Sequence, residues 1–518
     1  MRRAATLPAL TPAETVALSV ERIAIALVLA FFLIAILISD MNGYQGSDDA
    51  RYIAGAEAWL AEGVHIARNH WETRLPYVLL IAATGTTATA ILALHIVLGM
   101  ALIVMSWRLS RPVIGPRAAV AFATVLAMAA FTQQIAGRLQ IEVLELLLAG
   151  AAFWLVRQRI GGAGLAQLVA AGVLLGLAIL TRQTSAAAAI GLGLALLLNR
   201  RTADAFLLAG VAALPVLAEC IFYAVMTGDP LARLQIDMRH VLVEGQPLPG
   251  GAFTQGNPLF NPTLGAAWQN STQGLLHIHW TVDAFLRLVT YPTGLLTWIP
   301  ALVLLALPRF TFAGQQPGLR RDVLIMMAAV YVVVVFVLTL APEPRYFSMA
   351  TYLAAMVLAI GLTRLTERVP APAFLAIAGL AVAGPLAADL NPTPRPVVPQ
   401  VVGLLQGASA GRTLHVSGPI EATSRLALRE AGLSGRVTGA PPPAGAYFLG
   451  FPGNDALDLV ATCPGGVPRL LEIARGTTSA SLAWDALELL GLDGRVPAGP
   501  AAYLRRERYV PALYKVGC

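Results

Sequence analysis

Two adjacent carboxylates are the residues of this chain best suited to acid–base chemistry. Asp48 and Asp49 lie in the polar segment GSDDARY at 46–52, directly before Arg51 and Tyr52. Because like charges disfavour each other's ionisation, one carboxyl group of such a pair is expected to have a raised pKa. A positioned carboxylate of this kind is suited to take a proton from a reacting group.

A second polar cluster follows in the segment HWETRLP at 70–76. Its His70 and Glu72 could bind a divalent metal, since imidazole and carboxylate groups suit such ions. The spacing His-x-Glu is loose, however, and a lone histidine more often only hydrogen-bonds; further ligands would have to come from His277 or His279. Ionisable groups at the mouth of a membrane protein are costly and usually functional. The two clusters therefore predict an enzyme that acts at a membrane surface on an anionic, lipid-linked substrate.

The composition is that of a membrane protein. Of 518 residues, 57% are hydrophobic and 13% are charged, whereas a soluble globular protein carries about 25% charged residues. Apolar stretches of roughly 20 residues, the length that crosses a bilayer core, recur along most of the chain. Eleven transmembrane helices are predicted, at 16–39, 86–107, 117–136, 141–157, 165–181, 183–199, 204–227, 287–308, 322–342, 346–364 and 371–389. The segment 76–85 is too short to cross and is expected to lie in the interface or to re-enter the bilayer.

The distribution of arginine sets the predicted topology. Alternate connecting segments each contain at least two arginines and few acids, which places them in the cytoplasm by the positive-inside rule. They are 1–15, 108–117, 157–163, 200–204, 309–321 and 363–368. An odd number of spans then places the C-terminal tail outside. The net charge of +7 comes from arginines scattered between hydrophobic spans, so nucleic acid is not a predicted partner.

The outer ends of the spans hold a second set of charges. They are Asp48, Asp49, Arg51, Glu72, Arg74, Arg138, Glu142, Arg182, Glu343 and Arg345. Arginines at the outer ends of spans run against the positive-inside rule, so their presence there needs another explanation. An anionic ligand at the outer interface would supply one. The alternative is that they pair with nearby acids or lipid phosphates and only anchor the helices. For the set as a whole, we favour a shared site.

Two outer segments complete the predicted organisation. The loop at 228–286 is too long to be a simple connection. After a proline-rich linker, residues 390–518 alternate strand-like and helical runs, which predicts a small extracytoplasmic α/β domain. The strand-like runs are 412–417, 446–451 and 508–516, and the helical runs are 420–431, 468–473 and 481–490. Cys463 and Cys518 could pair there in an oxidising compartment.

The polar segments also match the motifs of a known group in order. DDARY at 48–52 has an acidic pair followed by a tyrosine, and ETRLP at 72–76 precedes the next apolar stretch. These resemble the Asp-Glu-x-x-Tyr and Lys-Pro-Pro elements of the lipid-phosphate-sugar-dependent glycosyltransferases of the GT-C superfamily. The branch that the chain resembles most is the bacterial protein mannosyltransferase-like set, which includes the lipid A aminoarabinose transferases. Aspartate here stands for the usual glutamate, and arginine for lysine.

Further matches extend the resemblance over roughly residues 20–365. RLQIE at 138–142 is similar to the group's Arg-x-x-x-Asp, with glutamate in place of aspartate. GVLLGLAILTR at 172–182 is similar to its Gly-x-x-x-Gly-Leu-Ala-x-Leu-Thr-Lys/Arg run. GDP at 228–230 and RY at 345–346 also fit. Each motif alone is weak, whereas the ordered set on one predicted face is more specific.

The resemblance implies an inverting glycosyltransferase that moves a sugar from a polyprenyl phosphate to lipid A, a polysaccharide or a protein. It implies a GT-C-like, all-α polytopic membrane domain of about eleven helices at 1–389, with its catalytic outer loop at 40–85. By the same resemblance Asp48 is the general base, with Asp49 and Glu142 as alternatives. The expected ligands of the donor phosphate are Arg74, Arg138, Arg182, Arg345, Tyr52 and Tyr346. Guanidinium suits this task because its fork matches phosphate oxygens. Some members of the group use a divalent metal and others do not.

Structural roles for the same residues stay open. Asp48 or Asp49 could cap a helix predicted at 49–62, since aspartate is a favoured N-cap residue. Both roles can coexist, with Asp49 capping and Asp48 catalytic. Tyr52 and Tyr346 could be interfacial anchors, which tyrosines often are.

Two other functions compete with the transferase. A transporter or flippase of lipid-linked sugars would use the outer arginines as one end of a substrate path, but transporters often show inverted repeats and broken helices at the midplane, and neither is evident in the sequence. A polysaccharide polymerase or ligase would share the lipid-linked substrate and the long outer loop, but gives no reason for the acidic pair. The resemblance places the protein in a bacterial inner membrane, with the active site and tail domain in the periplasm.

Overall fold

A mostly helical chain with a small sheet is seen in the computed structural model. It describes residues 12–38, 48–242, 268–270, 277–279, 285, 292–337, 344–366, 413–416, 429, 432, 437–438, 440, 442–450, 469–475, 482–497, 501 and 512–517. The helices there are α1 (Pro12–Ile38), α2 (Asp49–Glu62), α3 (Leu75–Thr84), α4 (Ala88–Ile114), α5 (Pro116–Met128), α6 (Ala130–Gly137), α7 (Glu142–Ile160), α8 (Leu165–Thr181), α9 (Ala186–Leu198), α10 (Thr202–Thr227), α11 (Ala232–Leu242), α12 (Pro292–Ala306), α13 (Pro308–Thr311), α14 (Leu319–Val332), α15 (Ser348–Thr366) and α16 (Leu482–Leu489). The strands are β1 (Trp268–Asn270), β2 (His277–His279), β3 (Leu414–Val416), β4 (Val437–Thr438), β5 (Tyr447–Gly450), β6 (Arg469–Arg475) and β7 (Ala512–Gly517).

Several of these helices have the length and composition of membrane spans. Within the described residues, four stretches qualify: Ser19–Leu37, Ala88–Ile114, Thr202–Thr227 and Arg345–Thr366. Their outer faces are apolar, as on α10, where Phe206 and Val225 are 75% and 78% exposed. An aliphatic surface of this kind is stable against lipid but not against water. The chain is therefore a multi-pass membrane protein, in agreement with its composition.

The predicted helix at 117–136 is not one continuous span. It is divided at Ala129 into α5 and α6, which meet at 61°. The backbone at Ala129 is extended, and the Gln133 side chain donates to the Ala127 carbonyl oxygen at 3.0 Å. This bond satisfies the carbonyl oxygen that loses its usual partner where the helix is interrupted. The helix can therefore bend here, although the apolar pattern of the sequence continues without a break.

Other span boundaries also differ from the prediction. The helix predicted at 86–107 continues as α4 to Ile114, and the one predicted to begin at 322 begins at Leu319. α3, by contrast, has 10 residues, as expected for a segment too short to cross. The predicted span 371–389 lies outside the described residues, so a total of eleven spans stays a prediction.

Two glycines allow α8 and α10 to pack at close range. A Cβ atom on Gly172 would lie 2.7 Å from the Val211 side chain, and one on Gly176 would lie 2.5 Å from the carbonyl oxygen of Ala212. Small residues at such spacing let helix backbones approach closely in membranes. The Gly-x-x-x-Gly run at 172–176 therefore serves this contact.

We expect Gly176→Ala to destabilise the protein, because the added methyl group meets backbone that cannot move aside. Overpacking of this kind typically costs about 1–3 kcal/mol, which outweighs the gain of about 1 kcal/mol that alanine normally gives in a helix. Gly210→Ala is the matched control, since a Cβ there meets nothing within 4 Å. Thermal unfolding in detergent should show a lower midpoint for the first variant and an equal or higher one for the second. Equal midpoints for both would contradict the packing role.

The arginine-rich connecting segments meet at one end of the helices. Arg157 is fully buried there and pairs with Asp322, and Arg159 and Arg201 both pair with Asp204, at 3.0 and 3.2 Å. The predicted cytoplasmic segments 157–163 and 200–204 therefore lie together at one end, beside Asp322, which directly follows the segment 309–321. The described members of the outer set of charges lie at the other end and form the candidate site, whereas Glu343 lies outside the described residues.

A small mixed sheet is present in the C-terminal part of the chain, as predicted. Its strand order is β4-β3-β5-β7-β6, with β3 parallel to β4 and β5, and β7 antiparallel to β5 and β6. The helix predicted at 468–473 is wrong, because this run forms strand β6. A run of six residues is too short for its periodicity to distinguish a helix from a strand. The strand forms because this run pairs with β7. The predicted pairing of Cys463 with Cys518 falls outside the described residues.

Candidate active site

Asp48 lies at the N-terminal end of α2 with its carboxylate partly open. It occupies the N-cap position, but its side chain makes no capping hydrogen bond. Its Oδ2 lies 3.6 Å from Nη1 of Arg345, and the two side chains are 31% and 30% exposed. Asp49 is fully buried in the first turn of α2, where the helix dipole favours a negative charge. The interpretation that Asp49 caps the helix is therefore wrong: Asp48 holds the cap position without capping, and Asp49 lies inside the helix.

Tyr52 and Arg74 join the two polar clusters of the sequence. Nη1 of Arg74 donates to the Tyr52 hydroxyl at 2.7 Å, and the guanidinium carbon lies 5.7 Å from the ring centroid. Burial raises the pKa of Tyr52, so the hydroxyl keeps its proton at neutral pH. With one lone pair bonded to Arg74, this hydroxyl can still donate its own proton to an acceptor such as a phosphate oxygen.

Charges from separate chain segments converge around the Tyr52 hydroxyl. After burial, the groups that shift its pKa are Arg74, Asp48, Glu142 and Arg182. The two arginines lower the pKa and the two acids raise it, as expected for nearby charges. The structure thus brings together residues from α2, the start of α3, the start of α7 and the end of α8. These are four of the segments that the sequence motifs singled out.

Arg182 is bound to two carboxylates. Its Nη1 lies 2.7 Å from Oε1 of Glu142 and 3.3 Å from Oε2 of Glu145, and both acids are 3% exposed beside an arginine that is 5% exposed. The same nitrogen donates to the carbonyl oxygen of Arg345 at 3.2 Å. The guanidinium also lies 4.8 Å from the ring centroid of Tyr346. Arg182 therefore holds acids in place at the site, and its charge is largely neutralised by them.

Glu145 is a site residue that the sequence reasoning missed. Besides Arg182, it accepts hydrogen bonds from Thr184 at 2.7 Å, Ser185 at 3.1 Å and Ser348 at 3.1 Å. It thereby ties α7 to the turn after α8 and to α15. The available signal was a carboxylate one helical turn beyond Glu142, inside a predicted span, where ionisable groups are usually functional.

The remaining predicted arginines differ in exposure. Arg138 is buried at the C-terminal end of α6, four positions before Glu142. Arg51 stacks over the Trp71 ring at 3.7 Å. Among the predicted phosphate ligands, Arg74 and Arg345 are the partly exposed cations. These two are therefore the arginines best placed to meet a ligand.

That His70 and Glu72 bind a metal stays a prediction, and in the structure both side chains are hydrogen-bonded to other groups of the protein. Both oxygens of Glu72 accept hydrogen bonds within its loop, from His65 at 3.0 Å, the Arg68 backbone at 2.7 Å and Asn69 at 2.6 Å. Both ring nitrogens of His70 are also hydrogen-bonded, to Asp237 and Arg74, so no lone pair is left for an ion. The described part of the chain contains no group of three metal-binding side chains. The side chains of His277 and His279 lie outside it.

The loop before α3 carries a histidine with a shifted pKa. Burial lowers the pKa of His65, but hydrogen bonds to Glu72 and Glu62, at 3.0 and 2.7 Å, raise it above its ordinary value overall. A histidine whose folded pKa is raised contributes stability that is fully present below its unfolded pKa, and that contribution disappears as the pH rises through the folded pKa.

We expect the thermal midpoint of the protein to fall as the pH rises above about 6.5, the ordinary histidine pKa. In His65→Gln this dependence should flatten, because glutamine does not titrate. His415→Gln is the control, since that side chain is only half-buried and bonds only to the Ala440 carbonyl oxygen among the contacts described for it. Thermal unfolding between acidic and mildly alkaline pH measures the effect. An unchanged slope in His65→Gln would assign the pH dependence to other groups.

The fold and the site define a multi-pass, mostly helical membrane protein with acidic and arginine side chains gathered at one end of its helices. No protein-family model and no curated protein matches the chain. Among solved structures, it is similar to an oligosaccharyltransferase from Archaeoglobus fulgidus in complex with Zn and sulfate, at 15% identity over 81% of this chain and 68% of that one, with a TM-score of 0.49. It is also similar to ArnT from Cupriavidus metallidurans in the apo state, at 16% identity over 96% and 98% of the two chains, with a TM-score of 0.40. The same protein bound to undecaprenyl phosphate matches at 15% identity over 95% and 97%, with a TM-score of 0.38.

Proposed function

We propose that this protein is a membrane glycosyltransferase that moves a sugar from a polyprenyl-phosphate donor to an acceptor outside the cytoplasm. The observation that carries the proposal is the pairing of Asp48 with Arg345 at the end of the helices opposite the arginine-rich segments. A partly exposed carboxylate lies 3.6 Å from a partly exposed guanidinium. A third charged group, Arg74, bonds to the hydroxyl of Tyr52, whose pKa is also shifted by Asp48. A base beside fixed cations is what transfer from a phosphate leaving group requires.

The proposed reaction is a single displacement at the anomeric carbon. Asp48 takes the proton of the acceptor hydroxyl or amine as that atom attacks. The new bond to the sugar forms while the bond from the anomeric carbon to the phosphate oxygen breaks, and the electron pair leaves with the phosphate. Because attack and departure occur on opposite faces, the sugar configuration is inverted.

The departing phosphate gains negative charge, which Arg345 and Arg74 stabilise in this proposal. Guanidinium is suited to the task because it keeps its proton and presents several N–H groups to phosphate oxygens. The Tyr52 hydroxyl supplies a further donor. Arg138 and Arg182 were predicted as phosphate ligands too; their burial favours a structural role, and for Arg182 the two bound carboxylates do so as well.

The site faces the periplasm of a bacterial inner membrane in this proposal. Arginine-rich segments gather at the opposite end of the helices, which is the arrangement of a cytoplasmic face. The tail contacts the site helix, since Arg429 pairs with Glu57 of α2 at 2.9 Å. We therefore propose that residues 390–518 take part in acceptor recognition. The acceptor class proposed is lipid A, a polysaccharide or a protein.

The test is sugar transfer by the purified protein in nanodiscs that contain a polyprenyl-phosphate sugar and a membrane lipid extract. Release of polyprenyl phosphate and labelling of an acceptor are measured together, and the anomeric configuration of the product is determined. Transfer with inversion is the expected result. Movement of the lipid between leaflets of proteoliposomes, without transfer for any donor, would overturn the proposal in favour of a flippase.

A further inference from the structure

A chain of hydrogen bonds joins α11 to the candidate site. Oδ1 of Asp237, on α11, lies 3.0 Å from Nδ1 of His70. Nε2 of the same ring lies 2.6 Å from Nη2 of Arg74. The other terminal nitrogen of Arg74 then donates to the Tyr52 hydroxyl at 2.7 Å. Residues far apart in the sequence thus act on one guanidinium.

The direction of this chain follows from the chemistry of arginine. A guanidinium has N–H donors and no acceptor, so Nε2 of His70 must accept the bond from Arg74. The ring proton is then on Nδ1, where it is donated to the carboxylate of Asp237. Asp237 therefore fixes which ring nitrogen carries the proton, and His70 presents a lone pair that fixes one edge of the guanidinium.

Asp237 is itself firmly held. It is 8% exposed and its carboxylate is bonded to two further elements. The Thr73 hydroxyl lies 3.0 Å from Oδ1, and the Gln183 side-chain amide donates to Oδ2. Arg233, one turn earlier on α11, lies 3.6 Å from Oδ2 and pairs with Glu219 of α10 at 2.6 Å. A buried carboxylate with this many hydrogen-bond and ion-pair partners is held in one position.

We infer that Asp237 and His70 are positioning residues that orient Arg74 toward the donor phosphate. This inference rests on the proposed function, because the phosphate is the ligand that Arg74 would meet. Only part of the guanidinium is used by His70 and Tyr52, and its remaining N–H groups can meet a ligand. Without the histidine, the long arginine side chain can rotate away, and a misplacement of about 1 Å can cost on the order of a hundredfold in a reaction.

Binding of a polyprenyl phosphate to the purified protein in nanodiscs tests the inference without the need for turnover. His70→Ala and Asp237→Ala should each weaken binding about tenfold, because they release one edge of the guanidinium. His70→Gln should restore most of the affinity, since an amide can donate to Asp237 and accept from Arg74. Glu219→Gln is the control: it weakens the other anchor of α11 by removing the charge that pairs with Arg233, and it leaves the chain to Arg74 intact, so its affinity should equal that of the wild type.

The outcomes separate this inference from the proposed function. If the wild type does not bind polyprenyl phosphate, both proposals fail. If Arg74→Gln binds as well as the wild type, the positioning role fails, while the proposed function can still rest on Arg345. If Arg74→Gln binds weakly while His70→Ala and Asp237→Ala bind normally, the positioning role alone is overturned. The positioning role also fails if His70→Gln is as weak as His70→Ala, or if Glu219→Gln loses as much affinity as Asp237→Ala. In that last case α11 would merely support the fold, and thermal midpoints should fall in parallel.

Discussion

Asp48→Asn should lower sugar transfer by about two to four orders of magnitude, the usual contribution of a positioned general base. The amide has nearly the same shape as the carboxylate, so the loss reports the missing proton acceptor and not a cavity. Donor binding should persist, because removing the negative charge beside Arg345 strengthens the attraction of that cation for the phosphate. The turnover rate and the affinity for polyprenyl phosphate, both measured on the same preparation, test the expected loss of transfer and the expected retention of donor binding.

Two other acids of α2 serve as controls for this prediction. Glu62→Gln removes an exposed carboxylate at the C-terminal end of α2 that pairs with Arg68, and this variant should retain transfer, which controls for a general effect of charge. Asp49→Asn alters a fully buried acid, so we expect it to lower the thermal midpoint more than turnover per folded molecule. Undiminished transfer by Asp48→Asn, together with a severe loss in Asp49→Asn, would assign the base to Asp49. Normal transfer in both variants would leave Glu142 as the remaining candidate for the general base.

Local chemistry made much of the site predictable from the sequence. A polar segment between apolar stretches has few places to lie other than a membrane surface, so the position of α2 at 49–62 was predicted as observed. The same holds for the short α3, whose 10 residues cannot cross a bilayer. The convergence of Asp48, Arg74 and Arg182 followed from their shared position at one end of the predicted spans, and it is seen around Tyr52.

The roles of several side chains could not be predicted, because they depend on partners that are distant in the sequence or not evident from it. Asp237 belongs to no motif and falls in the segment predicted as a long loop. Only the fold places it on α11 and shows that it bonds to His70, 167 positions away. Histidine and glutamate at 70 and 72 suggested a metal by type, but the spacing does not reveal that Glu72 is used by its own loop. The bend at Ala129 likewise depends on one side chain, Gln133, whose bond to a main-chain oxygen has no counterpart in the apolar pattern.

Arg182 is the residue whose expected role changes most with the structure. As a phosphate ligand it would be dispensable for folding, whereas the observed contacts make it the counter-ion of Glu142 and Glu145. Taking away one partner of a buried ion pair leaves uncompensated charge in a medium of low dielectric, which typically costs about 3–5 kcal/mol. The two roles therefore predict different effects of a single substitution.

We expect Arg182→Gln to lower the thermal midpoint severely and to abolish transfer through the loss of folded site geometry. Adding Glu145→Gln should recover part of the stability, because it removes one of the two carboxylates left without a counter-ion. Arg159→Gln is the control at the opposite end: its pair with Asp204 is partly exposed, so it should shift the midpoint far less. Thermal unfolding and polyprenyl-phosphate binding of all variants decide between the roles. An Arg182→Gln protein with a normal midpoint but weak donor binding would show that Arg182 binds the phosphate. The burial of Glu142 and Glu145 would then need another explanation.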